Sequence, residues 1–199
     1  MIYFRRLFLY ASFFCLATFG LLVYADVRGP YHGRVIDAQT KQPIEGAVVF
    51  AQWWTHAPGP TTVRLAQAYY DSQETFTDQQ GNFVIPGIMH PPAAPATLDP
   101  PTFIIFKPGY EAIGGRRLKP VPPELQAYTK IKDNVYEDEG IMVVEVRRLT
   151  TQDERVKNLH KLFIPSDVPQ DKHPNLYRLR CIEETNLGLR PNRLQPACY

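Results

Sequence analysis

Five histidines are the side chains of this chain best suited to hold a metal ion or to move a proton. They are scattered along the sequence without the short spacing that metal ligands share, and neither HxxE nor HExxH occurs. The acidic cluster Asp133, Glu137, Asp138, Glu139 does not match the spacing of a calcium loop. The sequence therefore predicts no catalytic, cofactor-binding or metal-ligating residue. The histidines are His32, His56, His90, His160 and His173.

Two adjacent aromatic pairs, Trp53-Trp54 and Tyr69-Tyr70, offer a different chemistry. Successive side chains of a strand point to opposite faces, so one member of each pair should enter the core while the other faces outward. Outward aromatic rings can stack on a sugar or dock against a protein. Burial of the outward rings by the C-terminal helices is the alternative. These four residues are the candidate ligand platform.

The first residues predict export. Arg5 and Arg6 precede an uncharged run over 7–25 that ends in Val-Tyr-Ala, the pattern of a secretory signal. About 20 apolar residues can also span a bilayer, so 1–25 is either a cleaved signal peptide or an uncleaved membrane anchor. Both alternatives place the folded part in the periplasm or outside the cell.

Cysteine usage and charge agree with export. Once Cys15 is assigned to the signal, Cys181 and Cys198 remain as an even pair in an oxidising compartment, which predicts a structural disulfide between them. The formal net charge of +2 provides no basic field for nucleic acid. The sequence predicts no cofactor, and its expected partners are proteins or carbohydrates of the cell envelope.

Residues 30–149 have the composition of a β domain. Short runs rich in valine, isoleucine and aromatic residues alternate with Gly/Pro turns, and seven strands are predicted. They cover residues 31–37, 47–54, 65–77, 82–85, 102–106, 110–113 and 141–146. No helical pattern interrupts them, which favours a two-sheet sandwich over a βαβ fold.

Two long insertions and a basic Gly-Gly-Arg-Arg segment interrupt the predicted strands. Residues 86–101 contain six prolines, and Pro120 opens a polar stretch to about residue 139. Proline cannot donate to a strand ladder, so both insertions are predicted to be loops, with surface insertion and a functional role left open. The segment 114–117 is predicted to be a solvated loop tip.

Residues 150–199 change character and predict a helical extension. Thr151 and Glu154 form a capping box ahead of an apolar stripe of Val156, Leu159, Leu162 and Phe163. A second helix follows Pro174, with Leu176, Leu179 and Ile182 spaced by three. Both helices are expected to dock on the β domain. The predicted interior of that domain consists of Val35, Val48, Phe50, Phe83, Ile85, Ile104, Phe106 and Val144.

Three motifs together resemble the carboxypeptidase regulatory-like domain. They are HGRVIDAQTKQPIEGAVV, TFTDQQGNFVIPG and FKPGYE, which lie within residues 32–111. The resemblance implies a mainly β, seven-stranded, transthyretin-like (prealbumin-like) sandwich over roughly residues 32–146. That family supplies accessory modules of exported proteins, so it implies a fold and no chemistry of its own.

Two enzyme families of similar ground plan are disfavoured. Intradiol dioxygenases place an H-x-H iron pair on the strand that here reads Pro-Thr-Phe-Ile-Ile-Phe over 101–106. Hydroxyisourate hydrolases end in Tyr-Arg-Gly-Ser, whereas this chain ends in Pro-Ala-Cys-Tyr. We therefore expect a non-catalytic, exported accessory or interaction protein. A carbohydrate-binding module that uses the outward aromatic rings is the first alternative, and a dioxygenase-like metalloenzyme is the second.

Overall fold

The computed structural model of the chain describes residues 29–57, 66–116, 134–138, 140–164 and 166–189. Within these ranges the protein is mainly β, with two sheets followed by two helices, as the sequence predicts. Nine strands are present there, two more than the seven predicted. The elements are β1 Tyr31–Asp37, β2 Val48–Ala57, β3 Ala66–Phe76, β4 Asn82–Ile85, β5 Thr97–Leu98, β6 Thr102–Phe106, β7 Ile113–Arg116, β8 Val135–Asp138, β9 Ile141–Val146, α1 Gln152–Leu159 and α2 Pro174–Asn186.

The strands form a four-stranded and a five-stranded sheet. The four-stranded sheet has the order β4-β1-β9-β8, and β1 and β9 are its parallel pair. The five-stranded sheet has the order β3-β2-β6-β7, with β5 also paired to β2. All pairings in this second sheet are antiparallel, and β2 pairs with three of its strands, β3, β5 and β6.

Glycine-containing turns connect the strands at two of the sequence motifs. The Asp78 carboxylate accepts hydrogen bonds from the backbone N–H groups of Gln80 and Asn82, which fixes the turn between β3 and β4. Gly81 in that turn has a φ of +75°, and a Cβ there would lie 2.5 Å from the Val35 carbonyl oxygen. Both the backbone conformation and the close approach therefore require glycine. Gly109, with a φ of +82°, has the same backbone role in the Pro-Gly turn after β6.

One hydrophobic core lies between the two sheets. Its residues alternate along the strands, since only every second side chain of a strand faces the opposite sheet. The side chains are apolar throughout and make up the inter-sheet core: Val35, Ile44, Ala47, Val49, Ala51, Trp53, Phe83, Ile85, Ile88, Phe103, Ile105, Ile113, Val144 and Val146.

A second core lies on the other face of the five-stranded sheet, under the helices. Val48, Phe50, Ile104 and Phe106 pack there against residues of α1, α2 and the segment between them. We call this side of the sheet the helix-side face. All eight residues predicted to be interior are buried, but they divide equally between the two cores.

The helices contact the sheet with a narrower apolar stripe than the sequence predicts. Leu159, Leu162 and Leu176 are buried as expected, whereas Phe163 is 72% exposed and Ile182 is 41% exposed. In α2 the position that faces inward is Glu183, seven residues after Leu176 and thus two helical turns along the same face. The spacing-by-three pattern therefore assigned the wrong residue to the end of that stripe.

Three predicted boundaries differ from the structure. The strand expected at 110–113 lies instead at Ile113–Arg116, because the Pro-Gly turn continues through a hydrogen bond from Tyr110 N–H to the Lys107 carbonyl. Gly114 is consequently a strand residue, and the described part of 114–117 is no loop tip. Both insertions contribute strand residues, the short β5 and the edge strand β8.

Candidate functional site

The four residues of the candidate ligand platform lie on two different faces. Trp53 is fully buried in the inter-sheet core, and Tyr70 packs at its margin. Trp54 and Tyr69 lie on the helix-side face, half-buried against the second core. The strand alternation therefore predicted their directions correctly. A single platform of all four rings is not formed, and Trp53 has no surface left for stacking.

Trp54 and Tyr69 meet edge to face, with ring centroids 6.0 Å apart and an interplanar angle of 82°. The Tyr69 hydroxyl lies 2.9 Å from the Ser72 hydroxyl, and partial burial raises the pKa of Tyr69. Rings at this angle do not form the flat surface on which a sugar stacks.

A cleft of about 520 Å³ opens beside the proline-rich insertion. We call it the loop-side cleft; its lining includes Tyr70, Asp71, Gln73, Met89 and His90. The Gln73 side-chain amide donates to the Gly87 carbonyl at 2.6 Å and accepts from the Gly87 N–H at 3.0 Å. The Tyr70 hydroxyl donates to the His90 carbonyl. These bonds hold the start of the insertion against β3.

A second cleft, of about 550 Å³, lies on the outer face of the four-stranded sheet. Its charged groups are largely neutralised within the protein. Lys41 Nζ lies 2.7 Å from the Glu145 carboxylate, which also accepts from the Tyr136 hydroxyl at 3.1 Å. Arg34 Nε donates to the Asn82 side-chain oxygen at 2.8 Å. This cleft therefore offers fewer unpaired groups to a ligand.

Three side chains that sequence reasoning did not connect form a hydrogen-bonded array at the end of β2. The His56 Nδ1 lies 3.0 Å from the Asp99 carboxylate, and His56 Nε2 lies 2.8 Å from the Thr97 hydroxyl. His56 and Thr97 are directly opposite each other in the β2–β5 pairing. Only the register of this pairing, between residues 41 positions apart, brings the groups together.

Titratable groups are also buried under the helices. The Glu74 carboxylate accepts hydrogen bonds from the N–H groups of Asn175 and Leu176, and burial raises its pKa to about 7. The Arg155 guanidinium makes two hydrogen bonds, of 2.8 and 2.6 Å, to the Glu183 carboxylate, which is fully buried. Sequence periodicity gave no signal for either contact.

His173 precedes α2 and is fully buried. Its ring packs 4.5 Å from the Tyr177 ring and 5.5 Å from the Phe50 ring, measured between centroids. Neither ring nitrogen has a well-formed hydrogen bond, and burial lowers the pKa of His173. The nearby Pro169 carbonyl opposes this shift only in part.

The remaining histidines, His32, His90 and His160, are exposed and lie on different elements. Within the described residues, no group of three or more His, Cys, Asp or Glu side chains could hold a metal ion. Of the predicted disulfide, Cys181 is buried in α2, while Cys198 lies outside the described residues, so the pairing stays a prediction.

The predicted signal or anchor over residues 1–25 also lies outside the described residues. Among the helices that are described, none is long and apolar enough to cross a membrane. Comparison of the chain with protein-family models, curated proteins and solved structures finds no match.

Proposed function

We propose that this chain is an exported accessory or interaction module of the cell envelope, built on a transthyretin-like sandwich of the carboxypeptidase regulatory-like type. Two observations support the fold assignment. The turns at Gly81 and Gly109 stand where the resembling motifs need them. When β5 and β8 are set aside as products of the insertions, seven strands remain in the two sheets.

The loop-side cleft is the surface that we propose for partner binding. Met89 projects from it with 85% of its surface exposed, beside the hydroxyl and ring of Tyr70 and the carboxylate of Asp71. A flexible, polarisable methionine is typical of surfaces that adapt to a protein partner. The hydrogen bonds from Gln73 and Tyr70 to the insertion fix the lining of the cleft in the absence of a partner. Binding then requires less loss of conformational entropy.

A protein partner is favoured over a polysaccharide by the placement of the aromatic rings. Trp53 is buried, Trp54 and Tyr69 are half-buried at a steep angle to each other, and Tyr70 is tied to His90. No pair among these four provides a flat exposed platform. The carbohydrate-binding alternative therefore loses the feature on which it depended.

Site-specific photo-crosslinking tests the proposal. A benzophenone amino acid at position 89, in cells that make the full chain, should crosslink to one discrete envelope protein. The same reagent at Val84, which is 46% exposed on β4, is the matched control and should not give that product. A Met89→Asp variant should compete poorly for the partner. Equal crosslinking from both positions would contradict the proposal, as would binding to cell-wall polysaccharide that Trp54→Ala abolishes.

A further inference from the structure

The array of Asp99, His56 and Thr97 has the atomic arrangement of an activated nucleophile. A carboxylate lies 3.0 Å from one imidazole nitrogen, and a hydroxyl lies 2.8 Å from the other. Hydroxyl, imidazole and carboxylate in this order are the groups that nucleophilic hydrolases use, irrespective of fold. Each distance falls within hydrogen-bonding range for that chemistry.

The Asp99 carboxylate fixes the tautomer of the ring. An ionised carboxylate only accepts hydrogen bonds, so it holds the proton of neutral His56 on Nδ1. Nε2 then carries a lone pair, and the Thr97 hydroxyl must donate to it. The competing acceptor for this hydroxyl, the His56 carbonyl oxygen, is farther away at 3.4 Å. The imidazole is thus placed to remove the hydroxyl proton.

The backbone holds all three residues in register. Thr97 pairs with His56 across the β2–β5 ladder, and the N–H of Asp99 donates to the Trp54 carbonyl at 2.8 Å. Thr97 and Asp99 are two positions apart and therefore share a face, with His56 opposite them. Thr97 is an exposed residue, so its side chain lies at the surface where a substrate can approach it.

We propose that Thr97 is the nucleophile of a catalytic site for acyl transfer from carboxylic esters. Its Oγ attacks the ester carbonyl carbon while the hydroxyl proton passes to Nε2 of His56. The bond to the alkoxy oxygen then breaks, and His56 returns the proton to the leaving alcohol. Water, activated by the same imidazole, attacks the Thr97 ester and releases the carboxylic acid with Thr97 regenerated. Asp99 stabilises the imidazolium formed in each half of the cycle.

The neighbouring aromatic pair indicates the substrate class. Trp54 lies two residues before His56 on β2, hence on the same face, and its ring is only half-buried. With Tyr69 edge-on to it, Trp54 offers an apolar ring on the same face as the imidazole of His56. Esters with an aromatic or short apolar group fit this surface better than charged or sugar esters do. This activity is independent of the loop-side cleft and departs from the expectation of a non-catalytic chain.

A purely structural role for His56, Thr97 and Asp99 accounts for less of the arrangement than a nucleophile does. A contact between His56 and Asp99 alone would tie the end of the insertion to β2. The further bond to an exposed threonine hydroxyl adds little stability, because water can replace either partner. A nucleophile explains why both nitrogens of the His56 ring have a partner: the Asp99 carboxylate accepts a hydrogen bond from one, and the Thr97 hydroxyl donates to the other.

Covalent labelling of the full chain tests the site. A fluorophosphonate probe should form a stable adduct that peptide mass spectrometry places on Thr97, and p-nitrophenyl butyrate should be hydrolysed. Thr97→Val keeps the side-chain shape without the hydroxyl and should give no adduct. Thr97→Ser should restore the adduct. His56→Gln should slow both reactions at least about a hundredfold, the scale of general-base catalysis.

The control is His32→Gln, which alters an exposed histidine on β1 and should label like the wild-type chain. The melting temperature of each variant shows whether it is folded. No adduct on the folded wild-type chain, or an adduct that persists unchanged in Thr97→Val, would overturn the proposal. An adduct on Thr97 that forms equally fast in His56→Gln would also overturn it, because the imidazole would then have no role.

Discussion

The two faces of the five-stranded sheet are built from the same strands yet differ in chemistry. The face toward the other sheet is lined mainly by apolar side chains, although Thr55 is also buried on it. The helix-side face begins with Val48 and Phe50 and continues along β2 to Gln52, Trp54 and His56. Glu74 of β3 lies on this face as well, and His173 and Glu183 are buried in the helical segment that packs over it. One face thus supplies cohesion, and the other combines cohesion with groups that can titrate or react.

Removing one phenylalanine from each face should show how far the two cores stabilise different parts of the fold. Phe83→Ala in the inter-sheet core and Phe50→Ala under the helices should each lower the free energy of unfolding by about 3–5 kcal/mol. Phe83 belongs to the core between the two sheets, so its loss should weaken protection from hydrogen exchange in the strands of both. Loss of Phe50 should chiefly release α1 and α2. Identical exchange patterns in the two variants would show that the cores act as one unit.

Breaking the ion pair between Arg155 of α1 and Glu183 of α2 should have the next largest effect on stability. Arg155→Met leaves the fully buried Glu183 carboxylate without its guanidinium, which for a buried pair is strongly destabilising. Because the Arg155 side chain is partly exposed, we expect a loss of about 2 kcal/mol in urea denaturation. The double variant Arg155→Met/Glu183→Met is the control and should recover most of that loss. Failure to recover would mean that packing, rather than the stranded charge, causes the effect.

Glu74 should make the stability of the folded chain fall as the pH rises toward neutrality. Its pKa in the folded chain is about 7, above its ordinary value of 4.5. The folded state therefore binds more protons than the unfolded state between these values, and stability must fall as pH rises from about 4.5 to 7. Since the carboxylate is only half-buried, we expect a change of about 1–2 kcal/mol.

Denaturation across this pH range measures the effect, with Glu74→Gln as the comparison. The amide can still accept from the N–H groups at the start of α2 but does not titrate. The free energy of unfolding of Glu74→Gln should therefore not decrease as the pH rises toward 7. If the variant and the wild-type chain have parallel profiles, Glu74 is not the responsible group.

His173 should have the opposite and smallest effect. Burial lowers its pKa below 6.5, so the unfolded chain takes up a proton that the folded chain resists as pH falls below that value. Stability is lost toward acid, and the loss offsets part of the Glu74 effect in the same range. His173→Phe should be more stable than the wild-type chain at pH 5 by about 1 kcal/mol and similar to it at pH 8. An unchanged difference between the two pH values would contradict this assignment.

The apolar composition of the strands predicted eight buried residues correctly but did not divide them between the two cores, because the central strands are apolar on both faces. Strand alternation separated Trp53 from Trp54 correctly. The helix-side face was less predictable, since its polar groups come from distant segments. Glu74 reaches the first turn of α2, about a hundred residues later, and His56 meets Thr97 only through the β2–β5 register. Local periodicity contains no information on such pairings, so the array of His56, Thr97 and Asp99 has no signature in the spacing of the histidines.

The parallel pairing of β1 with β9 has a consequence for how the chain can fold. Gly33, near the start of the four-stranded sheet, takes Met142 as its partner, so this sheet stays incomplete until nearly all of the β domain has been made. Contacts of such long range slow folding, because the loop between the strands must be closed before the contacts stabilise it. Until β9 has been made, β1 lacks one of its two strand neighbours, so a chain interrupted before residue 141 should leave the four-stranded sheet unfinished.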